Sequence, residues 1–105
     1  MRRLLTIVGT RATNFDPERP YRLHRQAELR DEDFGALAYH FGTRRLSFLK
    51  APILVDVVRA LQDSASVHEA FERCAVPRPQ RPALLQALAG LAASQMIELR
   101  EGAES

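Results

Sequence analysis

The sequence predicts an α+β domain, a three-stranded antiparallel sheet followed by three helices in a winged-helix-like order. Three observations carry that reading. Large and small residues alternate with period two on both sides of Gly42–Thr43. After Pro52 the period changes to that of a helix, with Ile53, Leu54, Val57, Val58 and Leu61 on one stripe. Two later apolar segments, Val67–Cys74 and Ala83–Gln95, keep helical spacing almost to the end of the chain.

Taken in order, residues 1–20 form an N-terminal arm, 21–100 the domain and 101–105 a tail. Within the arm, Leu4–Val8 is compatible with an extra strand or a loose extension, and Asn14–Pro20 is punctuated by Pro17 and Pro20. Tyr21–Leu29 reads as the first strand, closed by an acidic turn at Asp31–Glu32–Asp33. Leu37, Tyr39 and Phe41 then alternate with Ala36, Ala38 and His40, and beyond Gly42–Thr43 Leu46 and Phe48 alternate with Arg45 and Ser47. A two-residue loop with Gly first is the type II′ hairpin signal. Its register pairs Tyr39 with Leu46 and Leu37 with Phe48 on one face, and Ala38 with Ser47 and His40 with Arg45 on the other.

Pro52 suits a first helical turn, where its missing N–H is no loss. Ser66, with Glu69 three residues on, is a capping box for the second helix, whose buried face is Val67, Ala70, Phe71 and Cys74. Pro77, Pro79 and Pro82 mark the break before the third helix, which carries Leu84, Leu85, Leu88 and Leu91. Met96–Arg100 alternates again and is compatible with a short returning strand.

Size and composition narrow the function classes. A chain of 105 residues holds one modest core. Fifteen basic residues against 13 acidic ones leave a net charge of +2, and 14 of the 15 are arginine, so the basic balance is weak support for a polyanionic partner. The single cysteine, Cys74, allows no internal disulfide and fits a reducing compartment. The apolar run after Arg2 and Arg3 ends at Gly9, too short for an export signal, and no stretch approaches the roughly 20 apolar residues of a membrane span. The cytoplasm is the expected compartment, with no membrane partner.

No catalytic constellation converges. His68 and Cys74 are six residues apart on one helix, about 240° around its axis, and Cys74 reads as a small buried apolar residue. His24 and His40 are able to approach across strands but lack the further ligands of a metal site. The five glycines are scattered, with no phosphate loop. We therefore expect no enzyme activity, cofactor or metal. DNA binding is the rival reading, because a winged-helix-like order is compatible with it. The candidate recognition helix, however, holds no Lys or Arg, and only Arg78 and Arg81 precede it.

The same features permit another use. Ala83, Ala87, Gly90 and Ser94 form a stripe of small side chains on the third helix, suited either to tight packing on a neighbour or to the floor of a shallow groove. The hairpin's second arm, Arg44–Leu49, is able to supply an open sheet edge to an incoming extended peptide. Arg44, Arg45 and Lys50 would favour an acidic peptide there, or serve only to discourage pairing with another copy.

These residues also carry a resemblance. Phe34–Gly35–Ala36–Leu37–Ala38–Tyr39–His40–Phe41–Gly42–Thr43–Arg44–Arg45–Leu46–Ser47–Phe48–Leu49–Lys50, with Phe15–Asp16–Pro17 and Tyr21–Arg22–Leu23 upstream, resembles the peptide-binding chaperone of the mycofactocin system. That family is similar in fold to the chaperone of pyrroloquinoline quinone synthesis, a peptide recognition element of ribosomally made, modified peptides. The resemblance implies capture of a precursor peptide's leader and its presentation to a radical S-adenosylmethionine maturase, which modifies the precursor's C-terminal Val-Tyr. It also implies that the leader adds to the third strand and packs against the third helix. The positions that match are Arg44–Leu49 on the strand side and the stripe of Ala83, Ala87, Gly90 and Ser94 on the helix side. The expected peptide site is accordingly Arg44, Arg45, Leu46, Ser47, Phe48, Leu49 and Lys50 with Ala87, Gly90 and Ser94. Leu84, Leu88 and Leu91 are expected to supply apolar walls while some of them also belong to the core.

Overall fold

The structure is a computed structural model and describes residues 15–100. The segment Leu4–Val8 and the tail 101–105 lie outside the described residues. Five strands and three helices follow in order: β1 (Tyr21–Leu23), β2 (Ala27–Glu32), β3 (Gly35–His40), β4 (Arg45–Leu49), α1 (Pro52–Leu61), α2 (Val67–Arg73), a 3-10 turn (Arg78–Gln80), α3 (Arg81–Ala93) and β5 (Ile97–Leu99). The expected α+β class holds, with the returning strand present.

The first strand departs from expectation. Tyr21–Leu29 is two strands in two sheets: β1 pairs with β5, whereas β2 opens the antiparallel sheet β2-β3-β4. A tight turn divides them, in which His24 Nδ1 accepts the Gln26 N–H at 3.0 Å and the His24 carbonyl accepts that of Ala27 at 2.8 Å. A histidine able to accept from the backbone two residues on supplies the local bond that competes with a continuous ladder. Asp31 and Glu32 likewise belong to β2, and the turn is Asp33–Phe34.

The hairpin register is as expected, with Leu37↔Phe48, Ala38↔Ser47, Tyr39↔Leu46 and His40↔Arg45. Its loop is different. Pairing closes at His40–Arg45, leaving a four-residue turn, Phe41–Arg44. The left-handed residue is Arg44 (φ 64), not Gly42. His40 decides this, because its Nδ1 accepts the N–H groups of both Gly42 at 3.0 Å and Thr43 at 3.1 Å. The register survives because a two-residue loop closed by 41 and 44 and a four-residue loop closed by 40 and 45 belong to one ladder. Glycine at 42 answers a space requirement: a Cβ would come within 2.8 Å of Gln26 Oε1 and 3.0 Å of the His40 ring.

The sheet turns its small residues inward. Ala27, Ala36, Ala38 and Leu49 are buried with His40, and α1 packs over β3 and β4. The rest of the core is Tyr21 of β1, Leu54, Val55, Val57, Val58 and Leu61 of α1, Val67, Ala70 and Phe71 of α2, Val76 after it, Leu84, Leu88 and Leu91 of α3, and Met96 with Ile97. Ser66 accepts the Glu69 N–H at 3.0 Å as an N-cap should, while the Glu69 carboxylate reaches back to the Ala65 N–H at 2.7 Å. Cys74 closes α2 half-buried, its thiol pushed up by burial and secondarily by Asp56. Arg100 donates to the carbonyls of Gln62 (2.8 Å) and Ser64 (2.6 Å), tying the end of β5 to the end of α1.

Two glycines predict opposite outcomes. Gly35 sits at φ +146, and a Cβ there would collide with the Leu49 carbonyl, whereas nothing lies within 4 Å of one on Gly90. Gly35→Ala should lower the unfolding free energy by about 2 kcal/mol or more. Gly90→Ala in mid-α3 should raise it by about 0.5–1 kcal/mol. Urea unfolding of the two variants checks both.

Candidate functional site

Among the described residues β4 is paired on one side only, to β3. Its other rim therefore offers main-chain N–H and C=O groups, apart from the Arg45 N–H, which Thr43 Oγ1 accepts at 3.2 Å. Period-two geometry, having sent Ala36, Ala38 and Leu49 inward, sends the large residues out. Leu46 is 56% exposed and Phe48 62%. Phe34 and Phe41 are exposed as well, and Phe34 meets Phe48 edge-on with centroids 5.8 Å apart. Tyr39 and Phe41 make a second edge-on pair at 5.6 Å. The outer face is thus an aromatic and aliphatic surface running to the open edge, and isolated exposed apolar side chains would not form such a continuous group. Arg44, Arg45 and Lys50 are exposed beside it, and their side chains form no ion pair or hydrogen bond among the described residues.

The residues expected to form a peptide site divide in two. Arg45, Leu46, Ser47 and Phe48 lie on β4, flanked by Arg44 in the turn before it and Lys50 just after it, all exposed or half-exposed, while Leu49 points into the core. On α3, Leu84, Leu88 and Leu91 are buried core residues that support the helix from beneath. The small stripe lies on the other side: Ala83 and Gly90 are exposed and Ala87 and Ser94 half-exposed. The Ser94 hydroxyl is turned back onto the Gly90 carbonyl at 3.0 Å. Among the described residues nothing lies within 4 Å of a Cβ placed on Gly90.

Sequence reasoning left Phe34, Leu37, Tyr39 and Phe41 out of the site. The signal was present, since each alternates with an alanine, a glycine or a histidine, and in a sheet with a helix on one face the smaller set is the one that lets the helix approach.

A cavity of about 640 Å³ opens where the hairpin tip, through Gly42 and Thr43, faces the last turn of α3, at Ala92, Ala93 and Gln95. His24 and His40 line it with ring centroids 4.4 Å apart, as their cross-strand approach suggested. Among the described residues no group of three His, Cys, Asp or Glu is placed to hold a metal ion. Arg81, one of two arginines expected before a DNA-reading helix, is used internally. It donates to the Val76 carbonyl (3.0 Å) and to Glu72 (3.1 Å) and lies over the Phe71 ring.

The peptide chaperone MftB family, as a family model, matches residues 20–98. The chain belongs to that family. The match takes in every strand and helix but for Leu99 of β5. Among individual proteins, the chain is similar to the peptide chaperone MftB of Mycobacterium ulcerans (strain Agy99), 44% identical over 96% of this chain and 97% of the relative. It is similar to that of Mycobacterium tuberculosis (strain ATCC 25618 / H37Rv), 43% identical over 86% of this chain and 83% of the relative. For that of Mycolicibacterium smegmatis (strain ATCC 700084 / mc(2)155) the identity is 46% over 79% and 81%. No solved structure matches the chain. No helix among the described residues is long and apolar enough to cross a membrane.

Within this MftB-family domain, Glu98 of β5 joins the site to the second sheet. Its carboxylate accepts from Arg22 Nε at 3.0 Å and the Arg25 N–H at 3.1 Å, with His24 Nε2 at 3.4 Å. Burial pushes its pKa up, but the Arg25 N–H, the Arg22 guanidinium and His24 together outweigh that, and the carboxyl is held below its ordinary 4.5. A depressed folded-state pKa gives stability that is fully present above 4.5 and lost as pH falls through the lowered value. The stability gap between wild type and Glu98→Gln should therefore be largest near neutrality and shrink toward zero in acid. Urea midpoints measured across that range check it, and a pH-independent gap would refute it.

Proposed function

We propose that this chain binds the leader of a short ribosomally made precursor peptide by strand addition to β4 and presents it to a radical S-adenosylmethionine maturase in mycofactocin biosynthesis, without catalysing a reaction itself. The observation that carries the reading is the one-sided edge of β4, bordered by exposed Leu46 and Phe48 and by three cationic side chains without partners among the described residues. Membership of a family of peptide chaperones supports it.

In this mechanism the edge supplies main-chain hydrogen bonds that fix the peptide's register. Each contributes a net of only about 0.5–1.5 kcal/mol, so side-chain anchoring sets the affinity. Alternate side chains of an added strand would lie on the outer face beside Leu46 and Phe48, continuing the apolar surface there. The others would lie toward α3, where the small stripe of Ala83, Ala87 and Gly90 leaves room. Arg44, Arg45 and Lys50 would draw acidic leader residues to the edge and set their orientation more than their affinity. Removing the leader's conformational freedom is the main opposing cost.

Calorimetric titration of the full chain with the precursor peptide tests this. Saturable binding is expected, with the peptide's mass unchanged on incubation with this chain alone. Phe48→Glu should weaken binding about tenfold or more, and Gly90→Arg, placed where the helix has open space, should do the same sterically. Phe48→Glu should unfold in urea like the wild type, and Gly90→Arg at an equal or higher midpoint because the helix loses a glycine. No binding of the peptide would overturn the proposal, and duplex DNA binding that falls steeply with salt would put the rival reading in its place.

A further inference from the structure

The outer face of the β2-β3-β4 sheet is two surfaces side by side. On β2 the outward residues are Glu28, Arg30 and Glu32, all exposed, as suits a sheet face open to water. On β3 and β4 they are Leu37, Tyr39, Leu46 and Phe48, with Phe41 against Tyr39 and Phe34 against Phe48. Period two decides which residues are outside, yet β2 shows that outside positions of this same sheet can be charged. A strand added along β4 would lie beside Leu46 and Phe48. Leu37 and Tyr39 are one strand further in, and side chains pair across adjacent strands. Peptide capture at the rim therefore leaves the β3 column without a use.

Charge around this apolar group is divided left from right. On the β2 side Glu28 has no ion-pair partner among the described residues, and Glu32 has the exposed Arg30 at 3.6 Å. On the β4 side stand Arg44 and Lys50, exposed and likewise unpaired among the described residues. The register sets their levels. Glu28, Tyr39 and Leu46 form one row, and Arg30, Leu37 and Phe48 another. Glu32 pairs with Gly35, and a Cβ placed on Gly35 would lie 3.4 Å from the carbonyl carbon of Lys50, so Glu32 and Lys50 stand at the two ends of a third row.

We propose that this face is the contact of a two-fold dimer with a second copy of the chain, the axis running along β3. Such an axis keeps each row at its level and exchanges its two ends. Leu37 and Tyr39 then meet their own copies at the centre. Glu32 comes opposite the partner's Lys50, and Arg30 opposite the partner's Phe48, a cation facing a ring. Glu28 comes opposite the partner's Leu46, one step from the partner's Arg44. The other axis in the plane, across the strands, sets β2 on β2 and β4 on β4, like charge on like, so the charges select the first. An aligned packing angle of about 30° moves the outer rows by about 3 Å, less than one residue's rise. The face measures about 15 Å by 20 Å. That is roughly 300 Å² per copy against the roughly 800 Å² of a standard interface, so the dimer is weak and depends on concentration. The dimer does not rest on the function proposed above, and it covers the face while leaving the rim of β4 open.

Sedimentation velocity of the full chain tests this. Between about 10 μM and about 1 mM the weight-average mass should rise from monomer toward dimer and no further. Glu32→Lys and Lys50→Glu each set like charges opposite one another twice per dimer. Each alone should weaken association about tenfold or more and, being on the surface, should unfold in urea like the wild type. An equimolar mixture of the two variants should associate about as well as the wild type, because both contacts of the mixed dimer again join opposite charges. A monomer throughout that range overturns the inference and leaves the face to a different protein. Growth past the dimer overturns it in favour of pairing between the β4 edge of one copy and the β2 edge of the next. Association untouched by either variant, or a mixture no better than the variants alone, removes the axis and the proposal with it.

Discussion

The close approach of α1 to the sheet is the constraint from which the rest follows. Ala36 and Ala38 lie on the inward face of β3 with Leu49 beside them on β4, and all three are buried under α1. In a strand the side-chain period is two, so a choice made for one face is made for the other. Once the alanines are inside, Leu37, Tyr39, Leu46 and Phe48 are outside. An apolar outer face is thus a geometric consequence of how the helix is seated, and Gly35 makes the same closeness possible at the sheet's corner, where its hydrogen faces the Leu49 carbonyl.

The hairpin tip and the small β1–β5 sheet meet at two histidines that use their Nδ1 atoms alike. His24 takes the Gln26 N–H and breaks the first strand; His40 takes the Gly42 and Thr43 N–H groups and shapes the tip. Both act as local acceptors that divert backbone donors from a ladder. Glu98 and Arg100, on or next to the short last strand, then bind that end of the chain to β1 and to α1. Three residues of β5 on their own would be marginal. Burial of Met96 and Ile97 together with these charge-assisted bonds makes so short a strand part of the fold.

An open edge beside apolar residues is ordinarily an aggregation hazard. Here cationic residues bracket it, and the opposite sheet edge, β2, carries Glu28, Glu32 and the Arg30 that pairs with Glu32 at 3.6 Å. Under the proposed function the same three cations would discourage pairing with another basic edge and favour an acidic strand, one arrangement serving both purposes. In a family of peptide chaperones these purposes do not conflict.

Much of this was legible in the residues. The α+β order, the helix starting at Pro52, the Ser66 cap and the 37–48 register each follow from short-range chemistry: turn residues, caps and periodicity act within a few positions of the residues that declare them. The sequence by itself also marked Arg44–Leu49 as a candidate edge and Ala83, Ala87, Gly90 and Ser94 as a stripe of small residues. Tertiary structure alone decided which face of each element is buried. Alternation shows that two faces differ without saying which one a helix will cover, so Phe48 turned outward and Leu84, Leu88 and Leu91 inward only when the layers were stacked. It alone paired β1 with β5, 74 or more positions apart, and left His40 with an unpaired nitrogen, because contacts between distant segments leave no periodic trace in either.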